Sequence, residues 1–248
     1  MTRNIRLTIE YDGTRFCGWQ IQRKHKRSKT VQEEIEKAAK KLFGKKIKLR
    51  GAGRTDSGVH AEAQVANFKI DSNVPLLNIK KGLNSYLPRD IAILSVDRVS
   101  PTFHAQFDAK KKLYRYTIIN RKVRSPLRKR HSAFVSYDMD IESMKRAAKY
   151  FIGKKDFRSF QASDKKEKTA VRHITRLDIF HRSKVIEIYI QADGFLYNMV
   201  RNIVGTLIDV GRGRIKPESI NEILAKKHRS LAGQTAPAKG LCLVKVIY

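Results

Sequence analysis

The stretch Gly51-Ala52-Gly53-Arg54-Thr55-Asp56-Ser57-Gly58-Val59-His60-Ala61 lies between two strand-like runs and concentrates small residues around one acid and one base. Its three glycines let the backbone turn sharply and approach a ligand closely, because a residue without a β-carbon tolerates positive φ. Asp56 is therefore predicted to lie on a shaped, accessible turn. The spacing is equally consistent with a surface hairpin whose Asp caps its own backbone, since Asp and Gly are ordinary turn residues. The stretch lacks the Gly-Lys-Ser/Thr ending and the Gly-x-Gly-x-x-Gly spacing, which disfavours a phosphate-binding loop.

Working outward from this loop, the first half of the chain shows a β-α-β-β-α-β order. Residues 5–9 alternate between apolar and polar, which predicts a half-buried strand. Thr30-Val31-Gln32-Glu33 has the pattern of a capping box and opens a helix that runs to Gly44. The other predicted elements are strands near 46–52 and 63–70, a helix near 75–85 and a strand at 91–96. This order is the ferredoxin-like one, in which both helices cover one face of an antiparallel sheet and leave the other face free.

After residue 107 the cycle repeats more loosely. The predicted strands cover 113–119, 170–181, 184–192 and 241–247, and the predicted helices lie near 140–152, 197–210 and 217–227. The helix at 197–210 is apolar around much of its circumference and should be central. The sequence thus predicts an α+β fold with two ferredoxin-like (RRM-like) halves, 1–107 and 108–248. Each half has an antiparallel sheet, and a positively charged active-site cleft lies between them.

The charge balance is strongly basic. Lys and Arg number 53 against 23 Asp and Glu, a formal net charge of +30 over 248 residues. Such an excess costs self-repulsion unless a polyanion offsets it, so we expect a nucleic-acid partner. A membrane surface is the weaker alternative, because no segment joins a basic face to a broad apolar one. With no apolar run near the roughly 20 residues of a membrane span and no secretory signal pattern, we expect a soluble, cytoplasmic protein.

Cysteine and histidine spacing gives no metal-binding pattern. Cys17 and Cys242 are far apart and belong to no Cys-x-x-Cys pair, and the histidines show no ligand spacing. We predict no zinc site and no disulfide.

Several side chains stand out as candidates for chemistry or binding. Asp56 is an acid in a glycine-shaped loop, Tyr114 leads a Tyr-Arg-Tyr strand, and Arg201 is a charge inside an apolar helix. Tyr114 is also consistent with core packing, and Arg201 with a side chain that extends its head to solvent. A guanidinium inside an apolar segment needs a carboxylate partner, and Asp56 is a plausible one. The basic run that contains Arg23, Lys24, Lys26 and Arg27 is predicted to contact RNA, as is a second basic loop at 121–130; the alternative is a merely solvated surface.

The run Gly53–Ala61 resembles the signature of the TruA family of tRNA pseudouridine synthases. Further stretches resemble blocks of the same family, in the same order, and cover nearly the whole chain. They are Tyr11-Asp12-Gly13, Gly18-Trp19-Gln20, Phe103-His104-Ala105, Tyr114-Arg115-Tyr116, Asp156-Phe157-Arg158-Ser159-Phe160, Met199-Val200-Arg201-Asn202-Ile203-Val204-Gly205 and Gly240-Leu241 with Leu243-Val244.

This resemblance implies an activity and a set of roles. Asp56 would be the catalytic carboxylate, Tyr114 would pack on the target base, Arg201 would pair with the aspartate, and Arg54 would contact the RNA backbone. The implied reaction converts uridine to pseudouridine in the anticodon stem-loop of tRNA, at positions 38 to 40. It conserves atoms and needs no cofactor, and the family acts as a homodimer.

Two other functions remain open at this point. A member of the same family with broader RNA targets would carry the same motifs. A non-catalytic RNA-binding module built on the same sheets would not require Asp56, Tyr114 and Arg201 together.

Overall fold

The computed structural model describes residues 2–22, 29–162 and 169–248. It has a mixed α+β fold, as predicted, and forms two compact units. The first contains Met1–Lys110 together with Leu243–Tyr248, and the second contains Lys111–Cys242. Among the described residues, no helix combines the length and the apolar character that a membrane crossing requires.

The first unit contains the predicted β-α-β-β-α-β order. Its elements are β1 Thr2–Tyr11, α1 Val31–Phe43, β2 Arg50–Gly51, β3 His60–Asp71, α2 Leu76–Tyr86 and β4 Ile91–Val99. β1 pairs antiparallel with both β3 and β4, and β2 pairs antiparallel with β3. The strand order is therefore β4-β1-β3-β2.

Local sequence explains most of these elements. In β1, the side chains of Ile5, Leu7 and Ile9 are completely buried, as their alternation predicts. The Thr30 hydroxyl accepts a hydrogen bond from the Glu33 amide at 3.3 Å, which caps α1. The Glu33 carboxylate lies 2.8 Å from Lys37 Nζ instead of reaching back to residue 30, so only half of the predicted capping box forms.

The predicted strand at 46–52 is wrong for most of its length, because only Arg50–Gly51 joins the sheet. Ile47 and Leu49 are buried, which gives the alternation of a strand. However, helix α1 satisfies the Leu49 peptide: the Glu36 carboxylate accepts from its N–H at 3.0 Å, and Gln32 donates to its C=O at 3.2 Å. Side chains of a helix thus replace the neighbouring strand that this pattern normally indicates.

The second unit is built around four antiparallel strands. Its elements are β5 Lys111–Asn120, β6 Ala133–Val135, α3 Ile141–Lys149, β7 Gly153–Asp156, β8 Val171–Arg182, β9 Val185–Ala192, α4 Met199–Gly211 and α5 Ser219–Lys226. The strand order is β5-β9-β8-β7, and β6 adds to β5 in parallel. The final strand, β10 Leu241–Ile247, continues into the first unit, where the Lys110 amide donates to the Ile247 carbonyl at 2.8 Å.

The structure of this unit differs from the prediction in two respects. First, β6 and β7 were not predicted, because neither is long enough to show an apolar period. The helix predicted at 140–152 ends at Lys149, and Gly153, with φ +104°, begins β7 instead of ending the helix. The helix predicted at 197–210 corresponds to α4, and its central position is confirmed, since Met199, Ile203, Val204 and Leu207 are completely buried.

A pair of buried asparagines holds the segment that follows β4. Asn67, 1% exposed, donates to Asn4 Oδ1 at 2.9 Å and accepts from the Ala105 amide at 2.9 Å. Asn4 donates in turn to the carbonyls of Ser100 and Phe103 at 2.8 and 2.9 Å. The pair anchors residues 100–105 to the sheet, because each buried polar group there finds a partner.

Replacing Asn67 with Ala should lower the free energy of unfolding by about 1–3 kcal/mol, because the Ala105 amide loses its acceptor in a buried place. The exposed Asn78 of α2 provides the matched control. Asn78→Ala should change stability by about 0.5 kcal/mol or less. Urea unfolding of both variants measures the difference, and equal effects would contradict the anchoring role.

Candidate active site

Asp56 lies on the loop that joins β2 to β3. Its side chain is half-buried, whereas the preceding Thr55 is buried and Arg54 is exposed. The Val59 amide donates to the Asp56 carbonyl at 3.2 Å and Gly58 has φ +77°, which closes a tight turn directly after the acid. Gly58 thus fills the left-handed position that its sequence context predicts.

A segment between β1 and α1 braces this loop from both sides of Asp56. The Trp19 amide donates to the Thr55 carbonyl at 3.1 Å, and the Gly58 amide donates to the Phe16 carbonyl at 3.3 Å. The hydroxyls of Tyr11 and Thr55 are 2.8 Å apart. The backbone of Asp56 is therefore held by bonds on each side of it.

Two glycines permit this close approach. A β-carbon on Gly13 would lie 1.9 Å from the Val59 carbonyl oxygen, and one on Gly18, where φ is +83°, would lie 2.4 Å from the Thr55 carbonyl oxygen. The Gly13 amide also donates to His60 Nδ1 at 3.1 Å. The sequence alone assigned neither glycine a role; in the structure, both let the segment approach the Asp56 loop closely.

Tyr114 lies on β5, 7% exposed, with its ring at right angles to that of Phe195 and 5.2 Å from it between centroids. Tyr116, two residues on, is completely buried and donates its hydroxyl hydrogen to the Pro237 carbonyl at 2.7 Å. Burial raises the pKa of the Tyr116 phenol above its ordinary value. Tyr116 is therefore a structural residue, and Tyr114 is the candidate for contact with a ligand.

Arg201 lies on the third position of α4 and is half-buried. Its Nε donates to the Ala236 carbonyl at 2.8 Å, and its Nη1 donates to Asn198 Oδ1 at 2.9 Å. The guanidinium is thus anchored by protein oxygens and does not simply extend to solvent. Asp56 and Arg54 belong to the first unit, whereas Tyr114 and Arg201 belong to the second; the pairing of Arg201 with Asp56 stays a prediction.

The loop at 193–198 contacts both Tyr114 and Arg201, and it was not predicted from the sequence. It carries Phe195, which contacts Tyr114, and Asn198, which accepts from Arg201. Asn198 has φ +59° at the start of α4. An Asn directly before an apolar helix was the available signal, since Asn tolerates this left-handed conformation better than most residues.

Of the two basic segments, the loop at 121–130 lies among the described residues. The predicted RNA contacts Arg23, Lys24, Lys26 and Arg27 lie outside the described residues. In the loop at 121–130, Arg121 donates to the carbonyls of Val123 and Arg124. Most of the basic side chains of this second loop are exposed.

Comparison with known proteins identifies close relatives. A family model described as tRNA pseudouridine synthase matches residues 7–108 and 147–248. The "tRNA pseudouridine synthase A 2" of Clostridium perfringens is 50% identical over 246 residues, covering 99% of this chain and 100% of the relative. The "tRNA pseudouridine synthase A" proteins of Acetivibrio thermocellus and Thermoanaerobacter sp. strain X514 are 49% and 47% identical over the same shares of the two chains.

Gly18→Ala should destabilise the protein more than Gly44→Ala does. Both glycines have positive φ, but a β-carbon on Gly44 meets nothing within 4 Å. Gly44→Ala should therefore cost only the left-handed strain, about 1–2 kcal/mol. Gly18→Ala should cost about 1–3 kcal/mol more, because it also pushes away the Thr55 carbonyl. Chemical unfolding of the two variants tests this, and equal losses would show that the close approach does not constrain the loop.

Proposed function

The chain belongs to the tRNA pseudouridine synthase family, and on that premise we propose that it is an enzyme that isomerises uridine to pseudouridine in tRNA, with Asp56 as its catalytic carboxylate. The observation that carries the proposal is the braced Asp56 loop. A half-buried acid whose flanking residues are bonded on both sides is held in a fixed position, as a catalytic group must be. The relatives are named tRNA pseudouridine synthases, which supports tRNA as the substrate.

The reaction breaks the C1′–N1 bond, turns the uracil and joins C1′ to C5, and the proton on C5 is lost to solvent. Atoms are conserved apart from that proton exchange, so the chemistry calls for an acid-base or nucleophilic group and no cofactor. A carboxylate serves three routes: attack on C1′, attack on C6, or removal of the 2′ proton to give a glycal. Asp56 fills this role in each of them.

Tyr114 and Arg201 complete the proposed site. The target base must leave its stack, which costs a few kcal/mol, and contact with an aromatic ring returns roughly 1–3 kcal/mol per base. Phe195 contacts the Tyr114 ring at right angles and fixes its orientation. The target base would contact the part of the Tyr114 ring that Phe195 does not cover. Two donors of Arg201 are held by Ala236 and Asn198, which fixes the plane of the guanidinium. The carboxylate proposed to pair with it is that of Asp56.

Phosphate contacts would supply the remaining affinity. Arg54 is exposed on the Asp56 loop and suits contact with the RNA backbone, as do the basic residues Arg23, Lys24, Lys26 and Arg27. The formal charge of +30 supports a polyanionic substrate, and binding should weaken steeply with salt as counterions are released.

We also propose that the two halves of the chain are each ferredoxin-like and bind the RNA together. The strand order β4-β1-β3-β2 of the first unit supports a ferredoxin-like half over residues 1–107, and β5-β9-β8 supports a second over 108–248. The RNA would lie in a positively charged cleft between the halves. Family resemblance adds an anticodon stem-loop target, a homodimer and a cytoplasmic location.

Asp56→Asn should abolish tritium release from a tRNA transcript labelled at C5 of uridine, while tRNA affinity changes little. The amide keeps the size of the side chain but neither attacks carbon nor takes a proton. The matched control is Asp178→Asn, which removes a half-exposed carboxylate that pairs with Arg176. Wild-type binding without any tritium release would favour the non-catalytic RNA-binding module instead.

Tyr114→Ala should weaken tRNA binding about 5- to 100-fold, the equivalent of one lost aromatic stack, whereas Tyr114→Phe should keep most of the affinity. Tyr116→Phe is the control, since it loses a buried hydrogen bond and should lower stability without changing affinity. Filter binding and thermal unfolding of the three variants give both quantities. Identical affinities for Tyr114→Ala and Tyr114→Phe would exclude the stacking role.

A further inference from the structure

Two cations lie on one face of the sheet of the second unit. Lys112 of β5 is directly opposite Ala192 of β9, which is directly opposite Ile174 of β8. Residues opposite one another in antiparallel strands share a face, as do residues two apart along a strand. Arg172, two residues before Ile174, therefore lies on the same face as Lys112.

Lys112 is held there at a cost. Burial, and then repulsion by Arg172, lower the pKa of its ammonium below the ordinary value. Among the described side chains, no carboxylate forms an ion pair with Lys112 Nζ. A half-buried cation is unfavourable unless an anion binds it, so Lys112 favours an anionic ligand.

The Arg172 guanidinium is fixed in place by backbone groups. Its Nη1 donates to the carbonyls of Thr169 and Val171 at 3.0 and 2.8 Å. Its Nε lies 3.5 Å from the point where a β-carbon on Gly194 would stand, which is an ordinary van der Waals distance, so the Arg172 side chain lies beside Gly194. Arg172 therefore packs against the 193–198 loop.

That loop joins the two cations to the proposed site. Its Phe195 contacts Tyr114, and its Asn198 accepts from Arg201. Lys112 precedes Tyr114 by two residues on the same face of β5. A ligand that reaches Tyr114 thus comes close to Lys112, and Arg172 lies on the same face across β9.

We propose that Lys112 and Arg172 bind one backbone phosphate of the RNA, next to the nucleotide that contacts Tyr114. This inference rests on the proposed function and adds two positioning residues to it. A phosphate suits the pair because Arg offers a planar fork of donors and Lys a point charge, and both bind phosphate oxygens well. A nucleotide that leaves its stack swings its own phosphates with it, so a clamp on one phosphate holds the base at Tyr114.

The test combines protein variants with a neutral phosphate in the substrate. Lys112→Gln should weaken tRNA binding about tenfold or more, the loss expected for one charge-assisted hydrogen bond, and Lys112→Arg should keep most of the affinity. Lys149→Gln removes an exposed cation of α3 and serves as the control. Tritium release measured alongside should show that Lys112→Gln raises KM more than it lowers kcat.

Single methylphosphonates, which remove the charge of one phosphate, are then placed around the target uridine. At one position, the methylphosphonate should weaken tRNA binding by the wild type but should not weaken binding by Lys112→Gln any further. At other contacted phosphates, the methylphosphonate should weaken binding by both proteins. Equal sensitivity of the two proteins at every position would overturn the inference, as would a Lys112→Gln effect no larger than that of Lys149→Gln. If the wild type neither binds tRNA nor releases tritium, both the proposed function and this inference are wrong.

A second variant separates this role from a structural one. Lys112→Met keeps the length of the side chain and removes the unfavourable charge, so it should unfold at a higher temperature than wild type while binding tRNA more weakly. If Lys112 only stabilised the fold, Lys112→Met would lower both the unfolding temperature and the affinity for tRNA. A lower unfolding temperature for Lys112→Met would overturn the argument from burial of the charge.

Discussion

The structure of the candidate site depends on one close backbone approach, that of the segment 11–19 to the Asp56 loop. Trp19 and Phe16 bond to the residues on either side of Asp56 through main-chain atoms. Hydrogen bonds between main-chain atoms involve no rotatable side-chain bonds, so they fix a loop more tightly than hydrogen bonds from long side chains do. The approach requires residues without a β-carbon at positions 13 and 18. The acid is thus positioned by its neighbours, and its own carboxylate takes no part in these backbone bonds.

The second unit holds its candidate cation in the same way. The segment after α5 crosses α4 so closely that a β-carbon on Gly205 would lie 1.6 Å from the Gln234 carbonyl oxygen. Along this contact Arg201 accepts from the Ala236 amide at 3.1 Å through its carbonyl and donates to the Ala236 carbonyl at 2.8 Å through its Nε. The buried Asn202 then accepts from Thr235 at 2.6 Å and donates to the Phe160 carbonyl at 2.7 Å. A glycine contact and a polar network together fix the orientation of the guanidinium.

How far the sequence predicts this molecule depends on whether a feature is local. The strand β1 and the helices α1 and α4 follow from apolar periods, because burial of one face is a property of the segment itself. The strand predicted at residues 46–49 is wrong, because Ile47 and Leu49 alternate like a strand while α1 supplies the hydrogen bonds to the Leu49 peptide. At the site, the shape of the Asp56 turn was predictable from its own glycines. The bracing by Gly13 and Gly18 was not, because it joins residues about forty positions apart.

The Lys112–Arg172 pair illustrates why a site can oppose the stability of its own fold. The pKa of Lys112 in the folded chain lies below the ordinary value of 10.5. Between the two values the unfolded chain binds the proton more tightly, so stability rises with pH through that window, and the full cost is present below the window. An apolar residue of similar volume would remove this cost. A phosphate bound by Lys112 and Arg172 removes this free-energy cost only in the complex. Relief of the cost then contributes to the binding free energy of the substrate. Burial of the Lys112 charge, which a bound phosphate would offset, accounts for a cation at this position better than any contribution to the fold does.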